Sequence, residues 1–324
     1  MLIVLMLVSV SGAAFSQEKS EIKISLQDQL PESAYRIPWR MPCDDLYMGY
    51  HAVRWLDSQR VVAAFNTSPI CPKTNAYHIQ GNLKLVTFDL RGNPLHRTDI
   101  PYESAIQVGV PHDGIWIGPQ QTILVEIGFI PALDQPKSPG KVVVLKDNLE
   151  AVQEIETQSN STTREYGSFT HYGIRFMGVT ADHRAVLFSE EAEQKSKEKC
   201  LVYTGIPLKQ TGECAQGDLA SIKLLFHNPG RFNIPSGHEE RGDSPGTSSD
   251  GSIASIFVTK RENGLCQLAG TFCPSHGKLT VFETQSKRIL FSRTFSVDAS
   301  LALSPDGRHV AAFTKDKLEI LAVP

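Results

Sequence analysis

Ser304-Pro305-Asp306-Gly307-Arg308-His309-Val310-Ala311-Ala312-Phe313 reads as a tight turn running into a strand. Proline presets φ at one turn position and glycine accepts a positive φ at the other. Upstream, Leu301 and Leu303 alternate with small residues, as a half-buried strand requires. Downstream, Leu318, Ile320 and Val323 supply a further strand. Three short strands joined by tight turns make one meander of a sheet, and the rest of the chain varies this unit.

Arg60-Val61-Val62-Ala63-Ala64-Phe65 matches Arg308 to Phe313 and also follows a polar turn, Asp57-Ser58-Gln59. A third copy runs from Ser248 to Phe257, with Asp250-Gly251 in register with Asp306-Gly307. A looser copy runs from Phe176 to Phe188, with Arg184 in the arginine slot, and the loosest from Ile115 to Ile127, where Trp116 matches Trp55. Second hairpins follow, turning at Arg91-Gly92-Asn93, Asp147-Asn148 and Gln285-Ser286. Ile22, Ile24 and Leu26 alternate with Lys23 and Ser25 in a strand that lacks a neighbouring hairpin partner.

Four strands per unit, repeated, predict an all-β chain: a β-propeller of five blades, each of four antiparallel strands. The last unit has three strands of its own, so the N-terminal strand is expected to pair with it and close the ring, removing open edges. The Ser-Pro-Asp-Gly stretch resembles the SPDG-type repeat of Tol-associated and WD-like bacterial propellers, closely at Ser304 to Phe313 and partially at Ser248 to Phe257. That resemblance implies a fold and no named activity. A β-sandwich pair is the rival architecture.

Leu2 to Val10 is apolar apart from Ser9, and small residues follow through Ser16. This pattern predicts a signal peptide over residues 1–16 and a single propeller domain over 17–324, secreted or periplasmic, with no transmembrane segment in the mature chain. A formal net charge of −3 with scattered Lys and Arg gives no footprint for nucleic acid. Six cysteines in an exported chain fit disulfides. The expected pairs are Cys200 with Cys214, Cys266 with Cys273, and Cys43 with Cys71, among the other connectivities open to six cysteines. Zinc-type Cys-x-x-Cys spacing is absent.

No stretch carries a reaction motif: nucleophile elbow, zincin helix, P-loop and dinucleotide fingerprint are all missing. Arg241-Gly242-Asp243 matches an integrin-type adhesion tripeptide and is expected on an exposed loop, as Gly237-His238-Glu239-Glu240 is. Asn66-Thr67-Ser68 and Asn160-Ser161-Thr162 are sequons, which matter only in a eukaryotic secretory host. His51, His112 and His171 stand near the starts of three inner strands, and Arg54 and Arg175 follow two of them. Strand alternation puts His171 and Arg175 on one face and sends Arg54 to the face opposite His51. His51, His112, His171 and Arg175 are therefore the candidate ligand-binding residues, suited to a small anionic ligand. The competing interpretation is that these are hydrogen-bonded polar residues at loop-to-strand junctions.

The sequence points to an exported, non-enzymatic, monomeric scaffold that binds a protein or a small anionic ligand, with no cofactor. The alternative is a metal-dependent hydrolase or lactonase-type propeller, with Glu126, His112, Asn228 and Asp298 as contributors to a central site. Neither the ligand nor the partner is written in the sequence.

Overall fold

The structure is a computed structural model that describes residues 21–26, 51–70, 78–105, 115–127, 140–157, 173–180, 182–191, 199–215, 241–259, 276–296, 299–314 and 317–324. These residues form five four-stranded antiparallel sheets. Sheet 1 holds β2 (His51–Trp55), β3 (Arg60–Ile70), β4 (His78–Asp89) and β5 (Pro94–Ala105). Sheet 2 holds β6 (Ile115–Ile117), β7 (Ile123–Ile127), β8 (Gly140–Leu145) and β9 (Ala151–Thr157). Sheet 3 holds β10 (Gly173–Val179), β11 (Val186–Glu191), β12 (Lys199–Thr204) and β13 (Lys209–Glu213). Sheet 4 holds β14 (Arg241–Thr247), β15 (Ile253–Thr259), β16 (His276–Glu283) and β17 (Ile289–Ser296). Sheet 5 runs β18 (Ser300–Leu303), β19 (His309–Thr314), β20 (Lys317–Ala322) and then β1 (Glu21–Ser25), which pairs antiparallel with β20 from Glu21↔Leu321 to Ser25↔Lys317.

Period-two alternation builds the seams between sheets. In β3, Val61, Ala63 and Phe65 enter a core shared with sheet 5, while Val62 and Ala64 enter one shared with sheet 2. In β19, Ala311 and Phe313 face sheet 1, while Val310 and Ala312 face sheet 4. Second strands are thus apolar on both faces, and their alanines let the layers approach. Phe65 and Phe313, the matched aromatics of the two best repeats, meet edge to face across the seam at 5.9 Å between ring centroids. Leu124, Val142, Phe176 and Phe188 form the seam between sheets 2 and 3. The innermost strands touch in succession: β14 against β18, β18 against β2, β2 against β6, and β6 against β10.

β1 is built into this packing. Ile24 and Leu26 are buried in the core shared by sheets 5 and 1. A Cβ placed on Gly92 would stand 2.6 Å from Ile24 Cγ1, and Gly92 itself has φ +84°, so only glycine suits the β4–β5 turn against which β1 packs.

Candidate functional site

Antiparallel order sorts the connections onto two ends. Links from first to second and from third to fourth strands leave one end, and all of them are short. Links from second to third strands, and from each sheet to the next, leave the other. That second end takes the long segments 26–50, 106–114, 128–139, 158–172, 216–240 and 260–275.

The short-turn end is closed by local chemistry. Ser304 Oγ donates to Asp306 Oδ1 at 2.6 Å, the Arg308 N–H donates to the same carboxylate, and the His309 N–H donates to Ser304 Oγ. Ser248, Asp250, Ser252 and Ile253 repeat this pattern, and so do Thr180, Asp182, Arg184 and Ala185. The fourth position of each turn has positive φ: Gly307 at 71°, Gly251 at 72° and His183 at 56°. The Thr180 hydroxyl holds the Asp182 carboxyl well below its ordinary value, at about 2, despite the opposing effect of burial. The Ser248 hydroxyl and Ser252 do the same for Asp250, also at about 2. Sequence matching missed Thr180 as the counterpart of Ser304; a Ser/Thr-x-Asp spacing is the signal that finds it.

Each turn is also keyed to its neighbour. Arg60 reaches from sheet 1 to Asp147 at 2.9 Å and to Gln121 at 2.9 Å in sheet 2, while also bonding Asp57. The Ser249 N–H donates to Pro305 O, and His183 Nδ1 lies 2.7 Å from Ile117 O. Trp55 Nε1 donates to Ala302 O at 2.9 Å, and the Val53 N–H to Ser300 Oγ at 3.0 Å. These bonds make the short-turn end a structural hub.

Two of the predicted site residues, His51 and Arg175, are among the described ones. His51 opens β2 and Arg175 lies in β10, opposite Phe65 and Ser189 respectively. His112 and His171 lie outside the described residues, in the segments that lead into β6 and β10. Three of the innermost strands, β2, β6 and β10, stand side by side. The Arg54 guanidinium donates to Val53 O at 2.8 Å. Of the residues weighed for a metal, Glu126 sits in β7 opposite Val142, while His112, Asn228 and Asp298 lie outside the described residues. Among the described residues, no group of three or more His, Cys, Asp and Glu side chains converges as a metal site. Nor is any helix among them long and apolar enough to cross a membrane.

Cys200 and Cys214 stand at disulfide distance across the mouth of β12 and β13, with Cα atoms 5.2 Å apart. Cys43, Cys71, Cys266 and Cys273 lie outside the described residues. The loop expected at Arg241-Gly242-Asp243 is instead strand: these residues open β14 and pair with Thr259, Val258 and Phe257 of β15. Pairing fixes that backbone in extended form, whereas an adhesion tripeptide needs a protruding tip.

No protein-family model matches the chain, and no curated protein matches its sequence. Among solved structures, 93% of the chain is similar to 95% of a member of the DUF4221 family from Bacteroides vulgatus, with 9% identity and a TM-score of 0.34. It is also similar to the β-propeller domain of the Trilobed protease from Pyrococcus furiosus, over 82% of this chain and 64% of that one, at 12% identity and a TM-score of 0.28. TolB from Acinetobacter baumannii is matched over 84% of this chain and 53% of that one, at 12% identity and a TM-score of 0.26.

Proposed function

We propose that the chain is an exported, non-enzymatic five-bladed β-propeller that binds a protein or a small anionic ligand at its long-connection end. The observation that carries this is the division of the molecule into two ends. One end carries a set of turn and seam hydrogen bonds; the other takes the long connections and the starts of the innermost strands. Binding residues concentrate on such connections because a rigid scaffold positions them while leaving their sequence free. His51, His112, His171 and Arg175 are the ligand-binding residues of this proposal, with imidazole and guanidinium groups suited to a carboxylate.

The ring closes in this proposal through β1, and the four described seams leave one more, between sheets 3 and 4, to complete it. The Cys200–Cys214 pair supports an oxidising compartment, and residues 1–16 supply the export signal. Cys43–Cys71 and Cys266–Cys273 complete the disulfide set on the same end.

The test uses purified mature protein. Metal analysis comes first, then thermal-shift titration with galacturonate and citrate against wild type, His171→Ala and Arg175→Gln. A saturable upward shift in the wild type that both variants lose, without bound metal, supports the scaffold. Stoichiometric calcium or zinc together with lactone hydrolysis replaces it with the metal-dependent enzyme.

A further inference from the structure

The residue that closes the first turn of each sheet is structurally equivalent in all five: Arg60, Thr122, Ala185, Ile253 and His309, each accepting a backbone bond at its carbonyl from the end of the first strand. Where described, these side chains meet chemistry that suits them. Ile253 packs against the sheet 4/sheet 5 core, beside Gly307, where a Cβ would stand 2.7 Å from its Cδ1. Arg60 bonds Asp57, Asp147 and Gln121, and Thr122 Oγ1 donates to Pro119 O. His309 is different. Its ring lies 6.0 Å from the Trp55 ring across the sheet 5/sheet 1 seam, and its Nδ1 is buried without a hydrogen-bond partner. An imidazole stands where sheet 4 places an isoleucine, so it contributes apolar packing only while it is neutral.

We propose that His309 is a proton-sensitive latch on the seam between sheets 5 and 1, holding the hairpin β2–β3 against β18–β20 when neutral and loosening it when protonated. Protonation puts a full charge, and a new N–H donor, into a seam where the ring faces Trp55 and the Nδ1 atom is already buried without a partner. Among the described residues, no carboxylate from sheet 1 acts on the ring, and Asp57 of the β2–β3 turn is paired with Arg60. The charged groups acting on the ring come from its own turn, Asp306 and Arg308, and they have opposite signs. Around it, β18 carries no titratable residue. The charged residues of β20, Lys317 and Glu319, pair with Thr314 and Ala312, whereas His309 pairs with Ala322. From β2, Arg54 is turned to Val53 O. Burial accordingly pushes the imidazole below its ordinary value, outweighing Asp306.

The sign follows from linkage. The unfolded chain takes up the proton near pH 6.5, before the folded chain does, so the latch is fully engaged above about pH 6.5 and weakens as pH falls through the folded value. The experiment is thermal unfolding of wild type and His309→Gln between pH 8 and pH 5. Wild type is expected to lose ~2 °C more than the variant over that range. Taking the difference between the two proteins cancels the other histidines. Parallel curves overturn the proposal. Should His309→Gln not fold, an NMR titration of the wild-type imidazole decides: a folded-state midpoint below pH 6.5 supports the latch, and one at or above 6.5 overturns it.

Discussion

Ile24→Ala tests whether β1 belongs to the folded core or merely lies on its edge. Ile24 is 1% exposed and packs in the same cluster as Phe65, Phe88 and Leu318. Truncation to alanine removes three carbons, which costs about 2.4 kcal/mol in transfer free energy at about 0.8 kcal/mol each. A cavity contribution follows because the surrounding strands relax only in part, so the total is ~3 kcal/mol. Lys23, one residue away on the opposite face of the same strand and solvent-exposed, is the control, and Lys23→Ala is expected to cost less than about 1 kcal/mol. The assay is urea unfolding followed by tryptophan fluorescence, since Trp55 shares the Ile24 cluster. A lower midpoint at unchanged slope for Ile24→Ala alone is the expected result. Equal midpoints for the two variants would refute the placement of β1 in the core, and with it ring closure through the N-terminal strand.

Gly307→Ala is expected to cost more than Gly251→Ala: both have positive φ, but only the first drives a Cβ to 2.7 Å from Ile253 Cδ1, while the second meets open space. Strain alone gives ~1 kcal/mol and the added clash 1–3 kcal/mol more, roughly, to be read from paired thermal melts. Because Asp182 and Asp250 titrate near pH 2 in the folded chain and near 3.8 otherwise, their contribution is whole above about pH 4 and is lost as pH falls toward 2. The double variant Asp182→Asn/Asp250→Asn should therefore show a shallower fall in melting temperature across that window. Breaking the Cys200–Cys214 link with Cys200→Ser/Cys214→Ser should destabilise the chain by about 3 kcal/mol for so short a loop, measured by urea unfolding without reductant.

The five strand–turn–strand units were legible because each pairs apolar alternation with turn residues of restricted φ, and every expected turn lies between a first and a second strand. The lone N-terminal strand was legible for the same reason. Register was not. Matching Arg60–Phe65 to Arg308–Phe313 residue by residue is out by one in space, because the first turn closes through Leu56 and Arg60 and the last through Ser304 and His309. One residue of turn length sends the following side chains to opposite faces. Hence Phe65 and Phe313 face each other across a seam instead of occupying equivalent places. The candidate site was legible only as a position in the chain. Its residues lie at strand entrances and in long connections, where no periodicity constrains them and no spacing encodes which ones converge.

The pairing of β1 with β20 also sets the timetable of folding. Ser25 and Lys317 are register partners 292 positions apart (317 − 25), so the first described strand waits for the last. At ribosomal rates of 5–20 residues per second that interval is roughly 15–60 s. Throughout it, β1 lacks the strand it pairs with, while sheets 1 to 4 are complete from contiguous sequence as they emerge. Synthesis therefore delivers a row of finished sheets with one sticky strand trailing from the front. For that interval a holdase that covers short alternating apolar segments is the natural guardian of this chain.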